Sequence, residues 1–182
     1  MLFKDNDETF YKRMTKLYRN SVDIASHSTK QDNRKSKKIY FAGPWFSNRD
    51  MEIYDFCMNA AYITDTNYKI YFPREHSEGQ GLSPKETFIS NLKEISAADI
   101  VVALVSTKDV GTAFEIGYAH SLSVPIILLV YDESDIIESK TNLMLAMCAS
   151  KIFELNEWVN FLLQDEKVMD FIEMEDSWEA IE

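Results

Sequence analysis

The chain has 182 residues, of which 46% are hydrophobic, 13% aromatic and 27% charged, with a formal net charge of −11. That suits one domain able to bury a real core and excludes wholesale disorder. An excess of acid repels phosphate fields, which argues against a general binder of nucleic acid or of an anionic membrane.

Charge draws the first boundaries. Residues 1–38 hold ten Lys/Arg against five Asp/Glu, and residues 165–182 hold eight acids against Lys167 alone. The front therefore carries +5, the end −7 and the middle −9. This predicts an N-terminal helical extension with a basic linker over 1–38, a folded domain over 39–164 and an acidic tail over 165–182. Lys4, Asp5, Asp7 and Glu8 follow Met1 at once, so no signal peptide is expected. Cys57 and Cys148 show neither disulfide nor metal spacing, which fits a reduced, cytoplasmic setting.

Within the extension, Phe10, Met14 and Leu17, with Tyr11 and Tyr18 beside them, recur at i, i+4 and i+7. That spacing predicts an amphipathic helix that needs a surface, on its own domain or on a neighbouring subunit. The stretch 26–38 has no large apolar residue until Ile39 and reads as a linker. From there strands and helices alternate. Strands are predicted at 38–42, 68–72, 99–105 and 125–130, with a short fifth at Ile152–Phe153. Helices are predicted through Met51–Tyr62, Phe88–Ile95, Gly111–Ser121 and Trp158–Leu162, and His76–Pro84 reads as a loop. The longest apolar run, Val124–Tyr131, is far short of a membrane span. The pattern predicts an α/β fold, a doubly wound parallel five-stranded sheet of flavodoxin-like order 2-1-3-4-5.

Ligands in such folds bind beyond the carboxyl ends of the strands, where strand order reverses. The loops Gly43–Asp50 and Ser106–Glu115 flank that crevice. In the first, Gly43 allows close backbone approach, and Trp45 and Phe46 can stack on a flat ring. In the second, Glu115 sits about one helical turn inside a helix start, where the positive end favours an ionised nucleophile. A simpler reading stays open for Glu115 and for Asp109, since acids often complement or cap a helix start. No glycine-rich phosphate loop and no G-x-S-x-G elbow is present, and His27, His76 and His120 lie in separate segments, so neither metal nor cofactor is expected. Met144 and Met147 read by themselves as the core side of a helix.

Taken together, Ile39-Tyr-Phe-Ala-Gly-Pro44, Asn91-Leu-x-x-Ile-x-x-x-Asp-Ile100, Asp109-Val-Gly-Thr-Ala-Phe-Glu-Ile-Gly-Tyr-Ala119 and Asn142-Leu-Met144 resemble the nucleoside 2-deoxyribosyltransferase family. The resemblance covers about residues 39–155, and residues 1–38 lie outside it. It implies ping-pong transfer of 2-deoxyribose between nucleobases, with Glu115 as nucleophile, Tyr40 orienting it and Asp109 contacting the substrate. By their location in the crevice loops, and not by the resemblance, Gly43, Gly111, Trp45 and Phe46 are candidates to line the substrate site. Asn142 and Met144 would hold the sugar in a neighbouring subunit's site. That implies a homo-oligomer built on dimers, of a size up to a hexamer, acting on small nucleosides and bases. Several members carry an aspartate where this chain has Asn91, and the asparagine tilts the expectation towards purines. Glu75 is a further candidate for the base pocket by location alone. A nucleoside 5′-monophosphate N-glycosidase shares the same nucleophile and tyrosine, but needs a phosphate site for which these loops supply little besides Arg49. A non-catalytic nucleoside sensor would need no carboxylate paired with an orienting tyrosine.

Overall fold

Short apolar runs rich in Ile, Val, Leu and aromatic residues set the sheet. The computed structural model describes residues 7–26, 36–64, 66–79, 81–105, 109–131 and 142–163. Strands β1 (Lys38–Ala42), β2 (Lys69–Tyr71), β3 (Ile100–Leu104), β4 (Ile126–Val130) and β5 (Lys151–Glu154) form one sheet in the order β2-β1-β3-β4-β5. Every neighbouring pair is parallel. This is the flavodoxin-like order expected from the sequence. The helices are α1 (Asp7–Ser26), α2 (Asn48–Ile63), α3 (Pro73–Gly79), α4 (Pro84–Ser96), α5 (Val110–Ser121), α6 (Leu143–Cys148) and α7 (Trp158–Leu163).

β3 and β4 are buried along their whole length, because helices cover both faces of the sheet. Alternation along the strands then divides the core in two. Ile39, Phe41, Val102, Leu104, Ile127 and Leu129 meet residues of α2 and α7. Tyr40, Ala42, Val101, Ala103, Ile126 and Leu128 meet Ile95 of α4 and Ile116 and Ala119 of α5. Trp158 is fully buried on the first side, and its indole N–H donates to the Cys57 carbonyl at 2.9 Å.

The amphipathic extension helix covers its own domain. Phe10, Met14 and Leu17 are buried in the core on the α2 and α7 side, and Tyr18 meets Phe56 edge-on at 5.1 Å. One expectation fails: part of the predicted loop His76–Pro84 is helix, since α3 runs Pro73–Gly79. Pro73 reads as the stop of a strand, but proline also suits the first helical position, where no N–H is needed. Ser83 and Glu86 form a capping box that starts α4. Most of the basic linker and the whole acidic tail lie outside the described residues. Among the described residues no helix is long and apolar enough to cross a membrane. Within the same residues no group of three or more His, Cys, Asp or Glu is placed to hold a metal ion.

Candidate active site

Alternation in β1 sends Tyr40 to the α5 side of the sheet, where its side chain is 0% exposed. A buried phenol needs a hydrogen-bond partner. Its hydroxyl donates to Glu115 Oε1 at 2.6 Å. Glu115 lies in the second turn of α5, next to the buried Ile116. Burial pushes its carboxyl up to about 7; the Tyr40 hydroxyl pulls it back down, and the Asp109 charge adds to the rise. Burial thus opposes the ionisation that the helix end favours. Helix-dipole effects fade beyond the first turn, and desolvation outweighs them here. Tyr40 is itself pushed far above the ordinary tyrosine range, first by burial and then by the Glu115 charge, so it remains a proton donor.

Asp109 caps α5. Its Oδ2 accepts from the Thr112 N–H at 2.6 Å and from Thr112 Oγ1 at 2.8 Å, and Thr112 is buried. The carboxylate therefore does the ordinary work of a cap while its charge acts on Glu115. Gly111 stands against it: a Cβ there would lie 3.1 Å from Asp109 Oδ2.

Gly43 has a packing reason of its own. A Cβ would meet Leu104 Cβ at 3.1 Å and the Phe41 and Tyr54 rings at 3.5 Å. Gly43→Ala should therefore lower stability by about 1–3 kcal/mol, read as a fall in Tm. Trp45 and Phe46 part company. Trp45 is half-buried against the α2-side core, edge-on to Tyr54 at 5.6 Å, whereas Phe46 stacks on Trp45 and is 74% exposed. Ser47 and Asp50 then lock the start of α2 with a reciprocal capping box.

On the other flank, Asn91 of α4 is half-buried, and its Oδ1 is buried with no hydrogen-bond partner. Such an acceptor is costly unless something fills it. Glu75 accepts from the Tyr62 hydroxyl at 2.6 Å and is thereby tied to α2. Asn142 caps α6, its Oδ1 accepting from the Met144 N–H at 2.9 Å. The core reading of the methionines is wrong: Met144 is 70% exposed and Met147 is also exposed. α6 turns Leu145 and Cys148 towards α5 instead.

Two residues escaped the sequence reading. The β1–β2 register sets Tyr71 opposite Tyr40, with ring centroids 5.7 Å apart and planes 17° apart. His76 of α3 stacks on Tyr71 at 4.2 Å and 5°. The Tyr71 hydroxyl meets Ser90 Oγ at 3.2 Å, next to Asn91. Parallel pairing of the two predicted strands could have suggested Tyr71. His76 was hidden because its helix was read as loop.

The structure thus joins Tyr40, Glu115, Asp109 and Gly111 on one side of the sheet. It places Trp45 in the opposite core and Met144 on the surface.

A family model described as nucleoside 2-deoxyribosyltransferase matches residues 39–149, more than half of the chain. No curated protein sequence matches significantly. A 2-deoxyribosyltransferase structure from Bacillus psychrosaccharolyticus is similar at 24% identity and a TM-score of 0.59, over 72% of this chain and 95% of that one. A conserved protein from Enterococcus faecalis V583 is similar at 22% identity and a TM-score of 0.58, over 71% of this chain and 98% of that one. These structural likenesses bear on the fold, and the family model bears on the chemistry. The chain belongs to the nucleoside 2-deoxyribosyltransferase family, enzymes that act on N-glycosidic bonds.

Proposed function

We propose that this protein transfers 2-deoxyribose between nucleobases in two displacements on Glu115. The observation that carries the reading is the 2.6 Å hydrogen bond from the buried Tyr40 hydroxyl to Glu115. A carboxylate held this way is desolvated, aimed and still able to ionise near neutral pH. In the first step a Glu115 oxygen bonds C1′ as the C1′–N bond breaks, and the bonding pair leaves with the base. In the second step a nitrogen of the incoming base attacks C1′, loses its proton and releases the carboxylate. Two inversions give net retention. A sugar without a 2′-hydroxyl reaches the oxocarbenium-like transition state more readily, which favours deoxynucleosides. This chemistry calls for no cofactor and no metal.

The departing base needs a proton. Asn91 cannot give one, because its amide does not titrate. Its unpartnered Oδ1 instead suits an N–H on the base. Purines protonate at N7 before leaving, so we favour a purine preference, with Asp109 or water as the other proton sources. The exposure of Met144 beside the Asn142 cap supports a homo-oligomer in which these residues complete a neighbour's sugar site.

Incubation with deoxyinosine and adenine tests the proposal. Deoxyadenosine is the expected product; free deoxyribose alone would point to the N-glycosidase reading instead. A panel of purine and pyrimidine donors tests the base preference. Asp109→Ser separates the two duties of that residue. Serine is as good a cap, so stability should hold within about 1 kcal/mol. Base exchange should fall by roughly tenfold or more if the carboxylate also serves the substrate. Tm and exchange rate, measured on the same sample, decide it.

A further inference from the structure

The N-terminal helix lies outside residues 39–149, the segment that carries the family match. It nevertheless reaches the carboxyl edge of the sheet, where ligands bind in this fold. Tyr131, directly after β4, is the meeting point. Phe10 packs against its ring at 5.5 Å, and the Arg13 guanidinium lies 4.7 Å from its centroid. Arg49, from the first turn of α2, lies 5.1 Å from the same ring and 5.2 Å from Phe10. Three elements far apart in sequence are thus pinned together by two guanidiniums and two aromatic rings.

The position of Arg49 gives this cluster its consequence. It sits inside the Ser47–Asp50 capping box, three residues after the exposed Phe46. Arg49 thus follows directly on the loop that carries Trp45 and Phe46, at the second residue of the helix that this box starts. We infer that α1 is a positioning element of the active site: Phe10 and Arg13 hold Arg49 and Tyr131, and through Arg49 the loop Gly43–Asp50 at the carboxyl edge of the sheet. Arg13 is a positioning residue and touches no reacting atom. The inference rests on the proposed transfer reaction for its kinetic consequence, and on packing alone for its structural one.

The test compares Arg13→Ala, Arg13→Lys and, as a control of equal charge change on the exposed face of α1, Lys16→Ala. Two measurements are made on each full-length protein: base-exchange kinetics, and amide hydrogen exchange over residues 43–50 and 126–131. In Arg13→Ala, KM for the deoxynucleoside should rise about fivefold with kcat within about twofold, as loss of one partly desolvated cation–π contact allows. Exchange over 43–50 should quicken, while β3 stays protected. Arg13→Lys should recover part of both effects, and Lys16→Ala should match the wild type. Unchanged hydrogen exchange over 43–50 in Arg13→Ala overturns the inference, whether or not the protein is active. An unchanged KM overturns it too, since the clamp would then stop short of the substrate. A wild-type protein that exchanges no base sinks the transfer reaction and leaves the clamp to be judged on hydrogen exchange alone.

Discussion

Glu115→Gln should lose at least about 10³-fold in base exchange while gaining stability, because it removes the attacking oxygen and leaves the shape of the side chain. Burial raises the carboxyl from the usual 4.5 to about 7, so the native state disfavours the charged form. The sign follows. Below pH 4.5 the group is protonated in both states and costs nothing. As pH rises towards 7 the unfolded chain ionises more readily than the folded one, and stability is lost. Above pH 7 the penalty is complete, on the order of 3 kcal/mol. Glu115→Gln is therefore expected to melt higher than wild type at pH 8 and close to it at pH 4.5. Thermal denaturation at the two pH values, with exchange assayed alongside, checks both halves. A variant that keeps turnover would remove Glu115 from the role of nucleophile. One with a lower Tm at pH 8 would show that the carboxylate stabilises the fold rather than straining it.

Tyr40→Phe should cost about 10²-fold in kcat/KM and move its pH profile. The nucleophile acts as the anion, so the wild-type rate should climb with pH through about 7. The Tyr40 hydroxyl is the one influence pulling that value down, against burial and Asp109. Without it the rising limb should shift to higher pH, and raising pH should recover part of the lost rate. A profile that falls in height without moving would mean that Tyr40 supports the substrate and not the charge on Glu115. The change leaves a ring of the same shape stacked beside Tyr71 at 5.7 Å, so the fold should survive it.

These two predictions depend on a pairing that local sequence patterns do not reveal by themselves. Tyr40 and Glu115 are 75 residues apart. Strand alternation gives Tyr40 one of two faces, and helical spacing gives Glu115 one side of α5. Only the crossing of α5 over β1 and β3 brings their oxygens together. The same limit explains His76, since Pro73 signals equally the end of a strand and the start of a helix. It explains Met144 as well. Six apolar-rich residues from 143 to 148 look like core by composition, yet α6 is short and touches the domain along one side only.

By itself the sequence determined the parallel five-stranded order, the burial of β3 and β4, and the carboxyl-edge loops as the place for chemistry. It did so because apolar run length and the alternation of strand with helix are local properties that survive in the chain. The motifs around Tyr40, Asp109 and Glu115 also named the reaction class by resemblance. What the tertiary structure decided was environment. It showed that Glu115 is desolvated enough to resist ionisation and that Asp109 spends one oxygen as a cap. It also showed that the basic front of the chain reaches the edge of the sheet through Arg13. Desolvation and cation–π contact depend on neighbours brought from distant segments, and no spacing along the chain encodes them.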